Sequence, residues 1–372
     1  MNKRIKRILK ITGITILSVV LIFAGVFTGM FHREVRTLNS IEKLDEHPLY
    51  TMEYKGDYGM DEFLEVGACN DQELVKFVVD RLLKGLPLEI NIPSLGCSTF
   101  LAKNEESDGY LFGRNFDLNA SPGMFVRTQP EDGYASISMV NLGFIGYGEE
   151  KLPDNMKDAL LTLAAPYAPL DGMNEKGLCV GVLLIDTEPT NQQTEKIDIT
   201  TTTAIRMLLD QAATVEEAVE LLKQYDMHSS ANSCYHFQIA DASGNSVVVE
   251  YIDNEMKVVR PEESYQAATN FLLTPGDYDF GKGQDRYAIL MDTLEEQNGI
   301  VNSEEAMDLL QAASQDPHRT DDGDISATQW SVVYDMETLS ATICMGQDYE
   351  NTYTYSVEEP EKLLFSINFI KL

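Results

Sequence analysis

An α+β domain carried behind a single membrane-spanning helix is the architecture that this sequence predicts, and three observations point to it. A run of 21 uncharged, mostly apolar residues, Ile11 to Phe31, follows a short basic start. From Cys97 onward, short segments rich in β-branched and aromatic residues alternate with Gly, Ser, Asn and Asp turns. Those segments are interrupted by two pairs of helical patterns, and paired helices between runs of strands suit antiparallel sheets covered by helices better than a regular βαβ alternation.

The first element is the anchor. Lys3, Arg4, Lys6, Arg7 and Lys10 precede any acidic residue. The apolar run behind them makes about 30 Å of helix, enough to cross a bilayer's hydrocarbon core. Residues 1–10 therefore read as a cytoplasmic flank and 11–31 as a single-pass cell-membrane anchor, which puts the rest of the chain outside. A cleaved signal peptide is the alternative, against which stand the length of the run and the lack of a clear A-x-A site after it.

Residues 32–96 come next as a stalk and leader. Up to about Asp61 this stretch reads as irregular, with turn residues. Asn70 then caps a helix, with Glu73 at the capping-box position and Leu74, Phe77, Val78 and Leu82 as its apolar face, ending near Gly85-Leu86-Pro87.

Residues 97–372 form the main domain. Strands are expected at Ser98–Lys103, Tyr110–Phe116, Ala135–Val140, Leu178–Ile185, Tyr235–Ala240, Ser246–Tyr251, Ser331–Tyr334 and Ala341–Met345. Turns such as Ser107-Asp108-Gly109 and Ala242-Ser243-Gly244-Asn245 separate them. Apolar spacings of three and four predict helices at Thr201–Ala212, Val215–Tyr225, Arg286–Gln297 and Ser303–Ala313.

Composition narrows the function. With 28 Lys+Arg against 60 Asp+Glu, the net charge is −32. Such a charge repels phosphate backbones, so nucleic acid is not an expected partner. Five cysteines, Cys69, Cys97, Cys179, Cys234 and Cys344, leave at least one thiol unpaired, and with no CxxC among them a compact zinc motif is unsupported. Nothing in the sequence fixes an oligomeric state.

Cys97 stands apart from the other four. A cysteine serves as a nucleophile when its thiolate is accessible and a base is near. A distant histidine, His228 or His236, is one possible base. The local sequence offers another: if the Gly96–Cys97 bond is cut, the new α-amine, titrating near neutrality, can take the thiol proton. Gly96 leaves that carbonyl sterically open. Arg114 and Asp117 lie on the next strand, where the arginine favours the thiolate and the aspartate can hold the ammonium form.

These residues resemble the N-terminal nucleophile (Ntn) hydrolases of the choloylglycine hydrolase group, which includes bile salt hydrolases, penicillin V acylases, isopenicillin N acyltransferase-type enzymes and acid ceramidase-like amidases. The resemblance runs in order through Cys97-Ser-Thr-Phe, Gly113-Arg114-Asn115-Phe116-Asp117, Asp171-Gly172-Met173-Asn174-Glu175-Lys176-Gly177-Leu178, Ala268-Thr269-Asn270-Phe271, Asp285-Arg286-Tyr287 and Thr328-Gln329-Trp330-Ser331-Val332-Val333-Tyr334. It implies a four-layered αββα sandwich. It also implies a site of Cys97, Arg114, Asp117, Asn174, Asn270 and Arg286, with Asn174 in the oxyanion hole and Asn270 as a second donor. The implied reaction is hydrolysis of a linear C–N amide in a small N-acyl compound through a thioester on Cys97, with neither cofactor nor metal. Transfer of the acyl group to an amine is the alternative. A histidine-assisted cysteine protease and a non-catalytic surface protein are the rival classes. The 96 residues ahead of the cysteine resemble the long leaders of the ceramidase and isopenicillin N acyltransferase branches, whose self-cleavage yields two associated chains.

Overall fold

In the computed structural model of this chain, residues 31–45, 47–88, 96–148, 150–320, 323–357 and 364–367 are described. The proposed anchor, residues 11–31, lies outside them except for Phe31, which belongs to a helix, α1, described over residues 31–39. Among the described residues no helix is long and apolar enough to cross a membrane.

Two nine-stranded sheets dominate the structure. Strand-forming sequence of alternating polarity must bury one face, and here each sheet buries one against the other. The second sheet contains the hairpin β3 (Gly96–Asn104) and β4 (Tyr110–Asn119), followed across β4 by β17 (Ile325–Asp335), β18 (Ser340–Met345), β19 (Asn351–Ser356) and β20 (Leu364–Ile367). On the other side of β3 lies β14 (Gln266–Ala268). Two-residue strands complete it, β15 (Ile300–Val301) on β3 and β16 (His318–Arg319) on β17.

The alternation along β3 sets the layers. Cys97 and Leu101 belong to the large core between the sheets. Phe100 and Ala102 face the other way, into a second core with Leu290, Leu294, Leu309 and Leu310. Those four leucines come from α6 (Gln284–Glu296) and α7 (Ser303–Ala312), which cover that sheet. The first sheet is covered in turn by α4 (Thr201–Gln211) and α5 (Val215–Leu222), whose contacts are to β7 (Pro169–Asn174), β8 (Cys179–Ile185), β11 (Cys234–Ala240) and β12 (Ser246–Ile252). The layers thus run helix pair, sheet, sheet, helix pair, the order that the family resemblance implies, with paired helices over largely antiparallel sheets as the grouping suggests.

The stretch before residue 61 departs from the expected stalk. β1 (Glu42–Lys43) and β2 (Leu49–Glu53) are strands of the first sheet, and β2 lies parallel to β5 (Gly123–Thr128). From β5 the sheet continues antiparallel through β6 (Ser136–Asn141), β7, β8, β11 and β12 to β13 (Glu255–Val259). Leu49, Tyr50 and Met52 are buried. A two-residue strand and a five-residue strand carry too few alternations to reveal themselves, and a parallel partner more than 70 residues away leaves no hairpin signal.

After these strands come α2 (Met60–Val66) and α3 (Asp71–Val78). Asn70 caps α3 by accepting from the Glu73 N–H as expected, whereas the Glu73 carboxylate takes the Cys69 N–H rather than that of Asn70, so the reciprocal half of the capping box is displaced by one residue. Tyr58 places its hydroxyl 2.7 Å from Oδ1 of the buried Asp210 on α4, and the Asp71 carboxylate accepts from the Ala231 N–H at 2.6 Å. The leader is therefore packed and hydrogen-bonded into the domain. A small parallel pair, β9 (Ile197–Thr200) with β10 (Tyr225–His228), lies beside α4.

Candidate active site

The β3–β4 hairpin places Cys97 by register. Gly96 is opposite Asp117, Cys97 opposite Phe116 and Thr99 opposite Arg114. Opposed residues share a face and successive ones alternate. Cys97 and Arg114 accordingly point between the sheets, whereas Gly96, Ser98 and Asp117 face the helices α6 and α7. Arg114 and Asp117 flank the cysteine from opposite sides of one sheet.

On the inter-sheet side the Cys97 thiol is fully buried. Burial pushes its pKa up, the charges of Arg114 and Arg286 pull it down, and the net shift is upward. Arg114 is held by Asp171 of β7, Nε to Oδ2 at 3.2 Å, and Asp171 is held in turn by the Tyr334 hydroxyl. Neither Nη of Arg114 meets an acceptor at full hydrogen-bond geometry, but its charge and its approach to the Cys97 thiol work against the upward push of burial. A buried guanidinium with ends free of other partners beside a thiol can meet the thiolate. Asp171 was not among the expected site residues, although period-two alternation along the Asp171-Gly172-Met173-Asn174 strand puts it and Asn174 on opposite faces.

On the other side, polar groups converge on the backbone of Cys97. Its N–H donates to Asn270 Oδ1 at 2.8 Å. Arg286, in the first turn of α6, reaches the Cys97 carbonyl at 2.6 Å, Ser98 Oγ at 2.8 Å and Asp117 Oδ2 at 3.2 Å through Nη1, while Nη2 reaches Asn270 Oδ1 at 2.8 Å. Gly283 precedes that helix at φ 87°, and a Cβ there would stand 2.6 Å from Arg286 Nη2. Asp117 is further bound by Thr328 Oγ1 at 2.6 Å and Gln315 Nε2 at 2.8 Å. A register shift in β17 between Thr328 and Trp330 allows the first of these contacts. Gln315 and Thr328 come about 200 residues after Asp117, and nothing local in the sequence ties them to it.

The structure thus brings together Cys97, Arg114, Asp117, Asn270 and Arg286. Asn174 is elsewhere, at the opposite end of β8 from Leu184, whose carbonyl accepts from Asn270 Nδ2 at 2.9 Å. Both amide hydrogens of Asn174 are spent on the carbonyls of Leu209 and Ala212 at the end of α4, and its Oδ1 accepts the Lys176 and Leu178 N–H groups. It has no donor left for an oxyanion. The expectation for Asn174 is corrected to a turn residue that also caps the end of α4; Asn-Glu-Lys-Gly carries the turn locally, and the cap is long-range.

Neither histidine acts as a base toward Cys97 in this arrangement. His228 Nε2 lies 2.7 Å from Asp198. His236 has both ring nitrogens occupied, by Glu250 and by the Thr269 carbonyl. Among the described residues no His/Cys/Asp/Glu cluster could hold a metal ion.

A cavity of about 740 Å³ opens at Gly96 and is lined by Leu184, Asn270, Lys282, Arg286, Gln315 and Arg319, among others. Gly96 has no room for a side chain, since a Cβ would meet Gln315 Nε2 at 2.7 Å and Asp117 Oδ2 at 2.9 Å. Gly96→Val should displace the peptide bond ahead of Cys97 and slow any scission there by about 10²-fold, the scale of an ångström's misplacement. Intact-mass measurement over time checks this, and a valine variant cut at the wild-type rate would remove the steric argument.

Residues 97–271 match the family described as linear amide C-N hydrolases, choloylglycine hydrolase family. A penicillin V acylase of Pectobacterium atrosepticum is 33% identical over 111 residues, which is 27% of this chain and 29% of that protein, so the match spans less than a third of the relative. Two structures of conjugated bile acid hydrolase from Clostridium perfringens, a mutant and a variant, each align with 74% of this chain and 100% of theirs at 17% identity, with TM-scores of 0.53 and 0.52. At that identity they speak for a shared Ntn-like mixed α/β fold.

Proposed function

From the premise that residues 97–271 carry the sequence of a linear amide C-N hydrolase, we propose that this chain hydrolyses the amide of a small N-acyl compound, using Cys97 as an N-terminal nucleophile freed by scission after Gly96. One observation carries the reading. The backbone N–H of Cys97 donates to Asn270 Oδ1, Arg286 links that oxygen to the Cys97 carbonyl and to Asp117, and neither His228 nor His236 is turned to the thiol as a base. The Cys97 nitrogen is the atom which a free N-terminus turns into a base.

In the maturation step, the Cys97 thiolate adds to the Gly96 carbonyl carbon, the Gly96–Cys97 C–N bond breaks, and the released amine keeps the proton that the thiol gave up. Water then cleaves the thioester and leaves a Gly96 carboxylate and a free Cys97. In turnover, the α-amine takes the thiol proton and Sγ attacks the substrate carbonyl. The ammonium returns the proton to the leaving amine, and water releases the acid. Arg114 stabilises the thiolate. Asp117 and Asn270 orient the amine, and Arg286 ties both to the strand. Asn270 has one amide hydrogen on Leu184 and keeps a second for the developing oxyanion.

N-terminal sequencing of the purified protein, with assays on penicillin V and a glycine-conjugated bile acid among a panel of N-acyl amides, tests this reading. A chain beginning at Cys97 together with release of free amine is the expected result. An active protein that remains wholly uncut would overturn the free-amine mechanism.

Two consequences concern the leader. Because β2 is an interior strand of the first sheet, the piece ending at Gly96 should remain bound after scission: both fragments should elute together under native conditions and separate in denaturant. Elution of the larger fragment alone would contradict this. The apolar run of residues 11–31 behind a basic flank further supports a membrane-tethered enzyme facing outward. Protease added to intact cells should digest it, whereas protection until lysis would reverse the orientation.

A further inference from the structure

We propose that His236 is a doubly protonated positioning residue that, paired with Glu250, fixes the Thr269–Asn270 segment beneath the backbone nitrogen of Cys97. The inference deepens the amidase reading and rests on it for the role of Asn270. His236 lies on β11, fully buried, with Nε2 2.7 Å from the Thr269 carbonyl oxygen and Nδ1 3.2 Å from Glu250 Oε1 on β12. A carbonyl oxygen can only accept a hydrogen bond, and so can an ionised carboxylate. Each ring nitrogen therefore needs a hydrogen. A neutral ring of either tautomer would turn a lone pair toward an acceptor, a buried repulsion that either the second proton or protonation of Glu250 would remove.

The surroundings favour placing that proton on the ring. Glu250 is itself buried and accepts two backbone N–H groups, Leu273 on Oε1 at 2.6 Å and Thr274 on Oε2 at 3.0 Å. Burial opposes its charge, while His236, Thr274 and the Leu273 N–H favour it and hold its carboxyl below the usual range. On β8 the residue opposite His236 is the apolar Leu183, so Glu250 is the charged group that faces the ring from the neighbouring strands. The 269–274 loop presents a carbonyl and two amides. On the far side of that loop Arg286 and the Cys97 N–H meet Asn270 Oδ1.

The geometry is that of a clamp. His236 holds the carbonyl just before Asn270, and Glu250 holds the amides three and four residues after it. The pair sits on the first sheet, whereas β14, from which this loop emerges, belongs to the second. The ion pair thus ties the two sheets together where the amine must be oriented.

The test has two arms on the full-length protein. Nitrogen-15 NMR of histidine-labelled protein at pH 7.5, with the ring assigned by its loss in His236→Gln, should show both ring nitrogens protonated. Glu250→Gln should leave a singly protonated ring. A neutral His236 in the wild type would overturn the proposal. In the second arm, His236→Gln should lower kcat on penicillin V by about 10–100-fold with KM within about twofold, as expected for a mispositioned catalytic group rather than a lost binding contact. Native kcat in a His236→Gln variant that keeps its thermal midpoint would overturn the positioning role. Should the wild type neither cut itself nor release amine from any N-acyl amide, the amidase reading falls, and the NMR arm alone decides the state of the ring.

Discussion

Cys97→Ala should yield a chain of full length, with Gly96 still joined to residue 97 and no measurable release of amine from any N-acyl amide. Two separate losses combine in that outcome. Without sulfur no thioester can form on the backbone, so the precursor is not cut; and a precursor that is not cut has no α-amine to act as base. The fold should survive, because the side chain removed is small and buried, with a cost of about 1–2 kcal/mol from the vacated space and the guanidinium of Arg114 left facing it. Intact mass reports the cut, and a thermal melt separates loss of chemistry from loss of structure. Cys97→Ser is the more searching variant: a hydroxyl fills nearly the same space and can be cut slowly, yet it remains a far weaker nucleophile than a thiolate. Amide turnover by the alanine variant would move the nucleophile elsewhere in the protein.

Asp117→Asn should cost at least about 10²-fold in turnover, the size associated with losing a positioned acid–base component. In the structure Asp117 is fully buried, so the alternative of an exposed ion pair worth about 0–1 kcal/mol does not describe it. Its carboxylate accepts from three donors, Thr328, Gln315 and Arg286. An asparagine can keep most of this arrangement: its carbonyl can take Gln315 and Arg286, and its amide can face Thr328, whose hydroxyl accepts as readily as it donates. Shape survives and the negative charge does not. Arg286, on the Cys97 carbonyl and Asn270, is then left without its counter-charge, and its positive field discourages formation of the ammonium that must protonate the leaving group. The comparison requires protein already cut after Gly96, so that slow maturation is not read as slow catalysis. Near-native turnover by such a variant would mean that Asp117 is scaffold.

The hairpin around Cys97 was legible because its signals are local. A cysteine after glycine, a Ser-Asp-Gly turn and an Arg-Asn-Phe-Asp strand fix register within about 20 residues, and register decides which side chains flank the thiol. What local pattern could not supply was partnership at long range. Gln315 and Thr328 reach Asp117 only because β17 lies beside β4, and Asp171 meets Arg114 only because the two sheets stack. Asn174 misleads for both reasons: its local turn takes its Oδ1, and the distant end of α4 takes both of its amide hydrogens. The stretch before about residue 61 looks like a stalk in sequence because strands of two and five residues bear no usable period. Their burial depends on a core that the sequence assembles much later.

The parallel union of β2 with β5 has a consequence for reversibility. Before scission, β2 is linked to its partner by the chain between residues 53 and 123, so the two meet at an effective concentration set by that tether. Once the Gly96–Cys97 bond is gone, the same interior strand belongs to a separate molecule. Unfolding then becomes dissociation, and recovery becomes a second-order encounter whose rate falls with dilution. The precursor should refold from denaturant at any protein concentration, whereas the mature enzyme, carrying the same contacts, should regain structure only when both fragments are abundant. Its persistence would then be governed by the barrier to releasing that strand rather than by an equilibrium with an unfolded chain.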